Sequence, residues 1–251
     1  MADLGAALIT GAAGTIGSTV ARLMAARGHP VVLVDRDETA LWSLAASIKG
    51  ATAIVADLAR ADEVATLFRQ TFAGGLAAVI LATGTEGPVG LLEDCPEDQF
   101  DAVMALNVKS VWLGLRESLR IMKQQGNGSI VVLSSISGVM AMPMLSPYAA
   151  SKHAVMGLVR TAAREAAAAG VRVNAVCPAP VESGMMKRID GALQAHFPDR
   201  LKGAADASKS VPMQRYAQSG EVADAIAYLC SDAASYCTGM AFMVDGGISC
   251  R

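Results

Sequence analysis

The chain has 251 residues, 53% of them hydrophobic and 18% charged, with a net charge of −2. That size suits one large α/β domain with a substantial core, and the scattered basic residues leave no electrostatic footprint for nucleic acid or an anionic membrane. The five cysteines (Cys95, Cys177, Cys230, Cys237, Cys250) contain no CxxC, and the three histidines (His29, His153, His196) lack ligand spacing. These features argue against a metal site and for free thiols in a reducing compartment. No stretch has the length and purity of a membrane span. The opening MADLGAALITG lacks the basic region of a signal peptide, so cytoplasm is the expected location.

In chain order, short β-branched or apolar runs predict strands at Ala7–Thr10, Val31–Asp35, Ala53–Ala56, Ala78–Ala82, Ser129–Leu133, Arg172–Val176 and Ala241–Val244. Between them, helical patterns predict helices at Ile16–Arg27, Thr39–Ile48, Ala61–Thr71, Glu97–Gln124, Pro147–Ala169 and Glu221–Cys230. This alternation predicts βαβ units with right-handed crossovers, hence a doubly wound parallel sheet in the order 3-2-1-4-5-6-7, covered by helices on both faces. The stretch from Pro178 to Pro212 departs from the alternation, with four prolines and weak periodicity. It is expected to be an irregular substrate flap within a single domain.

Thr10–Gly17, TGAAGTIG, follows a strand and opens a helix. Glycines there let the backbone approach a pyrophosphate, and the helix N-terminus supplies unpaired N–H groups. Gly11, Gly14, Thr15, Ile16 and Gly17 are therefore candidate cofactor contacts. Asp35 ends the second strand eighteen residues after Gly17, where a carboxylate can accept hydrogen bonds from a ribose 2′-hydroxyl. It would repel a 2′-phosphate, which favours NAD over NADP, although the neighbouring Arg36 could pair with such a phosphate. Asp57 and Leu58, after the third strand, suit an adenine edge; Asp57 suits a helix cap equally well.

Tyr148 and Lys152 stand four residues apart in SPYAASKHA, so both project from one helix face. An ammonium beside a phenol is expected to lower the tyrosine's pKa and fit it for proton transfer near neutral pH. Ser134 and Ser135 both lie close enough in sequence to hold a substrate oxygen.

With these residues in order, the chain resembles the short-chain dehydrogenases/reductases. The likeness covers nearly the whole length: the glycine turn, Asp35, Asp57, Asn107 in ALNVKS, Ser135 in VVLSSISG, YAASK, VRVNAVCP and FMVDGG. Family spacing from the tyrosine selects Ser135. The resemblance implies that Tyr148 is the general base in alcohol oxidation and the general acid in ketone reduction. Lys152 would hold the nicotinamide ribose, Ser135 would orient the substrate oxygen, and Asn107 would place a relay water. Val181 would address the carboxamide through its backbone, with Ser183 nearby. It also implies a homotetramer, with long helices pairing across one interface and the last strand and helix forming another.

Three departures stand out. The turn carries glycine at 14 and Thr15 where the family's single-domain members have TGxxxGxG, so that it also matches TGxxGxxG of the epimerase and dehydratase branch. The expected NNAG reads Leu81-Ala82-Thr83-Gly84, and the expected Pro-Gly after the sixth strand reads Pro178-Ala179-Pro180. Methionines at 140, 142, 144, 185 and 186 flank the expected pocket and suit a hydrophobic, cyclic or aromatic secondary alcohol or ketone. Lys187 and Arg188 could catch an anion or simply be solvated. The alternatives are an NADPH-dependent 3-oxoacyl reductase, a nucleotide-sugar epimerase or dehydratase, and a non-catalytic NAD-binding regulator.

Overall fold

A computed structural model describes residues 5–70, 75–198 and 208–250. Seven strands form one sheet in the order β3-β2-β1-β4-β5-β6-β7, all neighbours parallel. They are β1 Ala6–Thr10, β2 Val31–Asp35, β3 Thr52–Val55, β4 Leu76–Leu81, β5 Gly128–Leu133, β6 Val171–Pro178 and β7 Ala241–Val244. The helices are α1 Thr15–Ala26, α2 Glu38–Ala46, α3 Ala61–Gln70, α4 Glu97–Met104, α5 Ser110–Gln125, α6 Ser146–Ala166, α7 Gly184–His196 and α8 Ser219–Cys230.

Successive strand side chains point to opposite faces, and both faces are apolar, as a parallel sheet between helix layers requires. Leu8, Val79, Ile130 and Val173 pack with Val111, Met122, Val155 and Val159 of α5 and α6. On the other face Ile9, Leu33, Ile80 and Val176 meet Val20, Met24, Val222 and Ile226 of α1 and α8. Strand order reverses at β1, which lies between β2 and β4, and a crevice opens at the C-terminal strand ends there.

Two sequence expectations change. The single helix expected over Glu97–Gln124 is interrupted at Ala105–Lys109 by a wide π turn, which joins α4 to α5 and carries Asn107. Such turns are commonly found at functional sites. The flap expected to be irregular contains α7, thirteen residues long, capped by Ser183, whose Oγ accepts from the Met186 N–H at 3.1 Å. The end of the predicted Ala61–Thr71 helix and residues 199–207 of the flap lie outside the described residues.

At Leu81-Ala82-Thr83-Gly84, which stands in place of NNAG, the neighbouring strands are tied through a threonine. Thr10 Oγ1 accepts from the Ala82 N–H at 3.1 Å, joining the ends of β1 and β4. Leu81 turns instead into the core beside Gly114, where an added Cβ would lie 2.8 Å from a Leu81 methyl. The Thr83 hydroxyl is buried without a hydrogen-bond partner.

Candidate active site

The crevice is a cavity of about 900 Å³. One wall begins at the glycine turn. Gly11 has φ +63°, and a Cβ on Gly17 would sit 2.1 Å from the Gly11 carbonyl oxygen, so both positions require glycine. Gly14 caps α1 without any side-chain hydrogen bond, leaving first-turn amides at Thr15, Ile16 and Gly17 on the cavity rim without intrahelical acceptors. The Asp35 carboxylate is fixed beside them: Oδ2 accepts from the Ala13 N–H at 3.0 Å and Oδ1 from the Asp37 N–H at 3.1 Å. Arg36, Asp57 and the buried Leu58 also line this wall. Asp57 serves its own turn, with Oδ1 accepting from the Ala59 N–H.

The opposite end brings Ser135, Tyr148, Lys152 and Val181 to the same cavity. Lys152 is buried in α6. Its Nζ donates to the Leu133 carbonyl at 2.8 Å and stands 5.5 Å from the centre of the Tyr148 ring. Ser135 Oγ accepts from the Ser137 N–H at 3.1 Å and lies 3.2 Å from Ser137 Oγ. Ser134 instead turns to α6, where its Oγ donates to the Lys152 carbonyl at 3.4 Å. Asn107 is fully buried: Oδ1 accepts from the Thr85 N–H at 2.8 Å, while Nδ2 donates to the Thr85 carbonyl at 2.8 Å and to Ser151 Oγ at 3.0 Å. Its side chain thus clamps the loop after β4, and it does not line the cavity.

The electrostatics reverse one expectation. Burial pushes the Tyr148 phenol up to about 12; the Ser135 hydrogen bond opposes this, while Glu86 and Cys177 add to it. The lysine therefore does not lower the phenol's pKa in the chain by itself. Burial also pushes Lys152 down to about 8. A cationic ligand beside the phenol would favour its ionised form.

Val181 is paired in parallel with Ala217: the Ala217 N–H donates to Pro180 and the Glu182 N–H to Ala217. Strand alternation turns Val181's own N–H and C=O to the other side. The Pro178-Ala179-Pro180 loop is anchored by the Ala179 N–H donating to Val244. Ser183 lines the cavity while capping α7. A dinucleotide fits these residues: free helix-end amides for a pyrophosphate, a fixed carboxylate for a ribose, and an outward-facing main chain at Val181 for an amide.

Met140, Met142, Met185 and Met186 line the outer cavity with Ile189 and Leu193. Met144, expected among them, is buried outside it. Glu86 was not foreseen. This buried carboxylate lines the cavity and is held by Arg188 of α7, expected to catch an anion or be solvated, at 2.6 and 3.2 Å. Its partner lies 102 residues away, so no local pattern announces the pair. Among the described residues there is no cluster of His, Cys, Asp or Glu able to hold a metal, and no helix long and apolar enough to cross a membrane.

Residues 11–249 match a family model described as enoyl-(acyl carrier protein) reductase. The chain is 32% identical to levodione reductase of Leifsonia aquatica over 252 residues, covering 96% of this chain and 93% of that one. Among solved structures, NAD⁺-bound xylitol dehydrogenase aligns with a TM-score of 0.92 at 29% identity, over 98% of this chain and 99% of that one. Actinorhodin polyketide ketoreductase with NADPH aligns with a TM-score of 0.92 at 27% identity, over 99% and 98%.

Proposed function

The chain belongs to the short-chain dehydrogenase/reductase family, whose members similar to it are oxidoreductases of alcohols and ketones, and on that premise we propose that it interconverts a hydrophobic secondary alcohol and its ketone with NAD(H). The observation that carries this reading is the meeting of Tyr148, Ser135 and Lys152 in one cavity with the glycine turn and Asp35.

A bound nicotinamide dinucleotide supplies the carrier that exchanges hydride with the substrate carbon. The protein's part is alignment and the proton. Tyr148 takes the hydroxyl proton in oxidation and returns it in reduction. Ser135 holds the substrate oxygen, and Ser137 fixes the serine hydroxyl in turn. Lys152, anchored to Leu133, presents its ammonium to the ribose and the phenol. Asn107 acts by holding the Thr85 segment in place. Asp35 supports NAD as the preferred form, through a carboxylate already turned to the turn amides. The methionine wall supports an apolar substrate body.

Assembly as a homotetramer is part of the same proposal. Phe100 and Trp112 are exposed on α4 and α5, and Tyr236 and Met240 near β7, as apolar residues awaiting a partner surface would be. Sedimentation as a monomer would refute it. The enzymatic proposal is tested by a panel of cyclic and aryl secondary alcohols and ketones with NAD and NADP, followed by reduced-nicotinamide absorbance. Turnover with NAD at a kcat/KM well above that with NADP is expected. A panel with no turnover by a protein that still binds NADH would favour the regulator reading instead.

A further inference from the structure

Among the residues lining the cavity is Glu86, 7% exposed, near enough to Tyr148 for its charge to oppose loss of the phenolic proton. Its position is determined from two sides. Arg188 donates Nε to Oε1 at 2.6 Å and Nη2 to Oε2 at 3.2 Å. The preceding residue, Thr85, is held at both its N–H and its C=O by Asn107. A carboxylate offers about four acceptor sites, of which Arg188 takes two; the Thr85 hydroxyl, 3.5 Å from Oε2, is a weak third. Arg188 itself is 65% exposed, so the ion pair sits at the mouth with its anionic end inward.

Taking an ionised carboxylate out of water is costly, and only good pairing recovers that cost. Joining a loop to a helix does not require that cost, since apolar contacts do it as well. A buried carboxylate that lines the cavity near the proton-transfer residue, with acceptor capacity left over, therefore points to a ligand group.

We propose that Glu86 is a specificity residue that accepts a hydrogen bond from a second hydroxyl of the substrate, one or two carbons from the reacting carbon, with Arg188 as the residue that positions it. The favoured substrates are then diols and hydroxyketones with an apolar ring or chain turned toward Met140, Met142 and Met186. This rests on the alcohol–ketone reading above.

The experiment compares kcat/KM with NAD for cyclohexanol and for the cyclohexane-1,2- and 1,3-diols, in the wild type, Glu86→Met and Glu86→Gln. The wild type is expected to favour at least one diol over cyclohexanol by about 10- to 100-fold, the range for a hydrogen bond to a charged group. Glu86→Met should collapse that ratio to about threefold or less, and Glu86→Gln, which preserves shape and folds most safely, to an intermediate value. Arg188→Leu should raise the diol KM about tenfold with far less effect on diol kcat, and Arg188→Lys should restore part of the loss. A wild-type ratio near one, or a ratio unchanged in both Glu86 variants, would overturn the proposal while leaving the oxidoreductase assignment standing. Inertness of all three beside turnover of another alcohol of the wider panel would overturn the proposal alone, and failure of the whole panel with protein that binds NADH would overturn both.

Discussion

The wall formed by the glycine turn, Asp35 and Asp57 comes from the first 60 residues and is built largely of main-chain amides and short side-chain ties. The wall around the outer cavity is closed by side chains brought together from distant parts of the chain. Glu86 meets Arg188 across 102 residues, and Tyr216 donates to the Asp190 carboxylate at 3.0 Å across 26. The first wall needs particular residues because of local geometry. The second needs only complementary partners, wherever the chain supplies them. A binding site for a fixed ligand can be written in the first manner, while a site that must change with its substrate is better written in the second.

The contrast can be broken most severely where the two walls meet. Tyr148→Phe should reduce turnover by about 10³-fold or more, within the range general acid–base groups provide, while NADH binding followed by fluorescence persists; an active Phe variant would refute the assignment. Gly17→Ala places a methyl 2.1 Å from the Gly11 carbonyl. It should abolish measurable dinucleotide binding and lower the melting temperature. Asp35→Asn should weaken NADH by about tenfold, the low end for a charged hydrogen bond, and NADPH less or not at all. A parallel loss of both would show that Asp35 only shapes the turn.

Smaller effects sharpen the picture within the scaffold. Thr10→Val removes the acceptor for the Ala82 N–H and should cost about 1 kcal/mol in denaturant unfolding, the net worth of one hydrogen bond at a half-buried donor. The pH dependence of cofactor-free protein follows from Lys152, held at about 8 against an ordinary 10.5. Between those values the unfolded chain retains a proton that the folded chain has released, so stability rises with pH across that window. Below about 8 the full cost of the buried ammonium remains. Tyr148, pushed up to about 12, acts oppositely once pH exceeds 10. Lys152→Met should flatten the rise, as measured by denaturant midpoints across the window.

The same distinction explains what was legible in sequence. Strand identity and order followed from apolar runs and their alternation with helical patterns, and the predicted order matches the structure. Gly11 and Gly17 were legible because their backbone geometry excludes other residues. The break at Asn107 was not, because a wide turn preserves the helical pattern on both sides. Nor was α7, whose two early methionines and scattered charges give weak periodicity; its serine cap was the available signal. The tyrosine's acidity was misjudged because helix spacing gives proximity but not solvation: the ammonium is tied to Leu133, and the phenol is desolvated by burial and opposed by the Glu86 charge. Glu86 could not be found locally at all.

The anchoring of Lys152 to the main chain of β5 has a further consequence. The lysine is fastened to the sheet, whereas α7 is tied through Arg188 to Glu86 in the loop after β4 and through Asp190 to Tyr216. A new α7 that still supplies a partner for Glu86 can thus be grafted, and a different alcohol admitted, without moving the lysine anchor beneath it. Divergence of substrate preference in such a chain can proceed by changes of roof, provided that the one strut joining roof to foundation, Arg188 on Glu86, is kept.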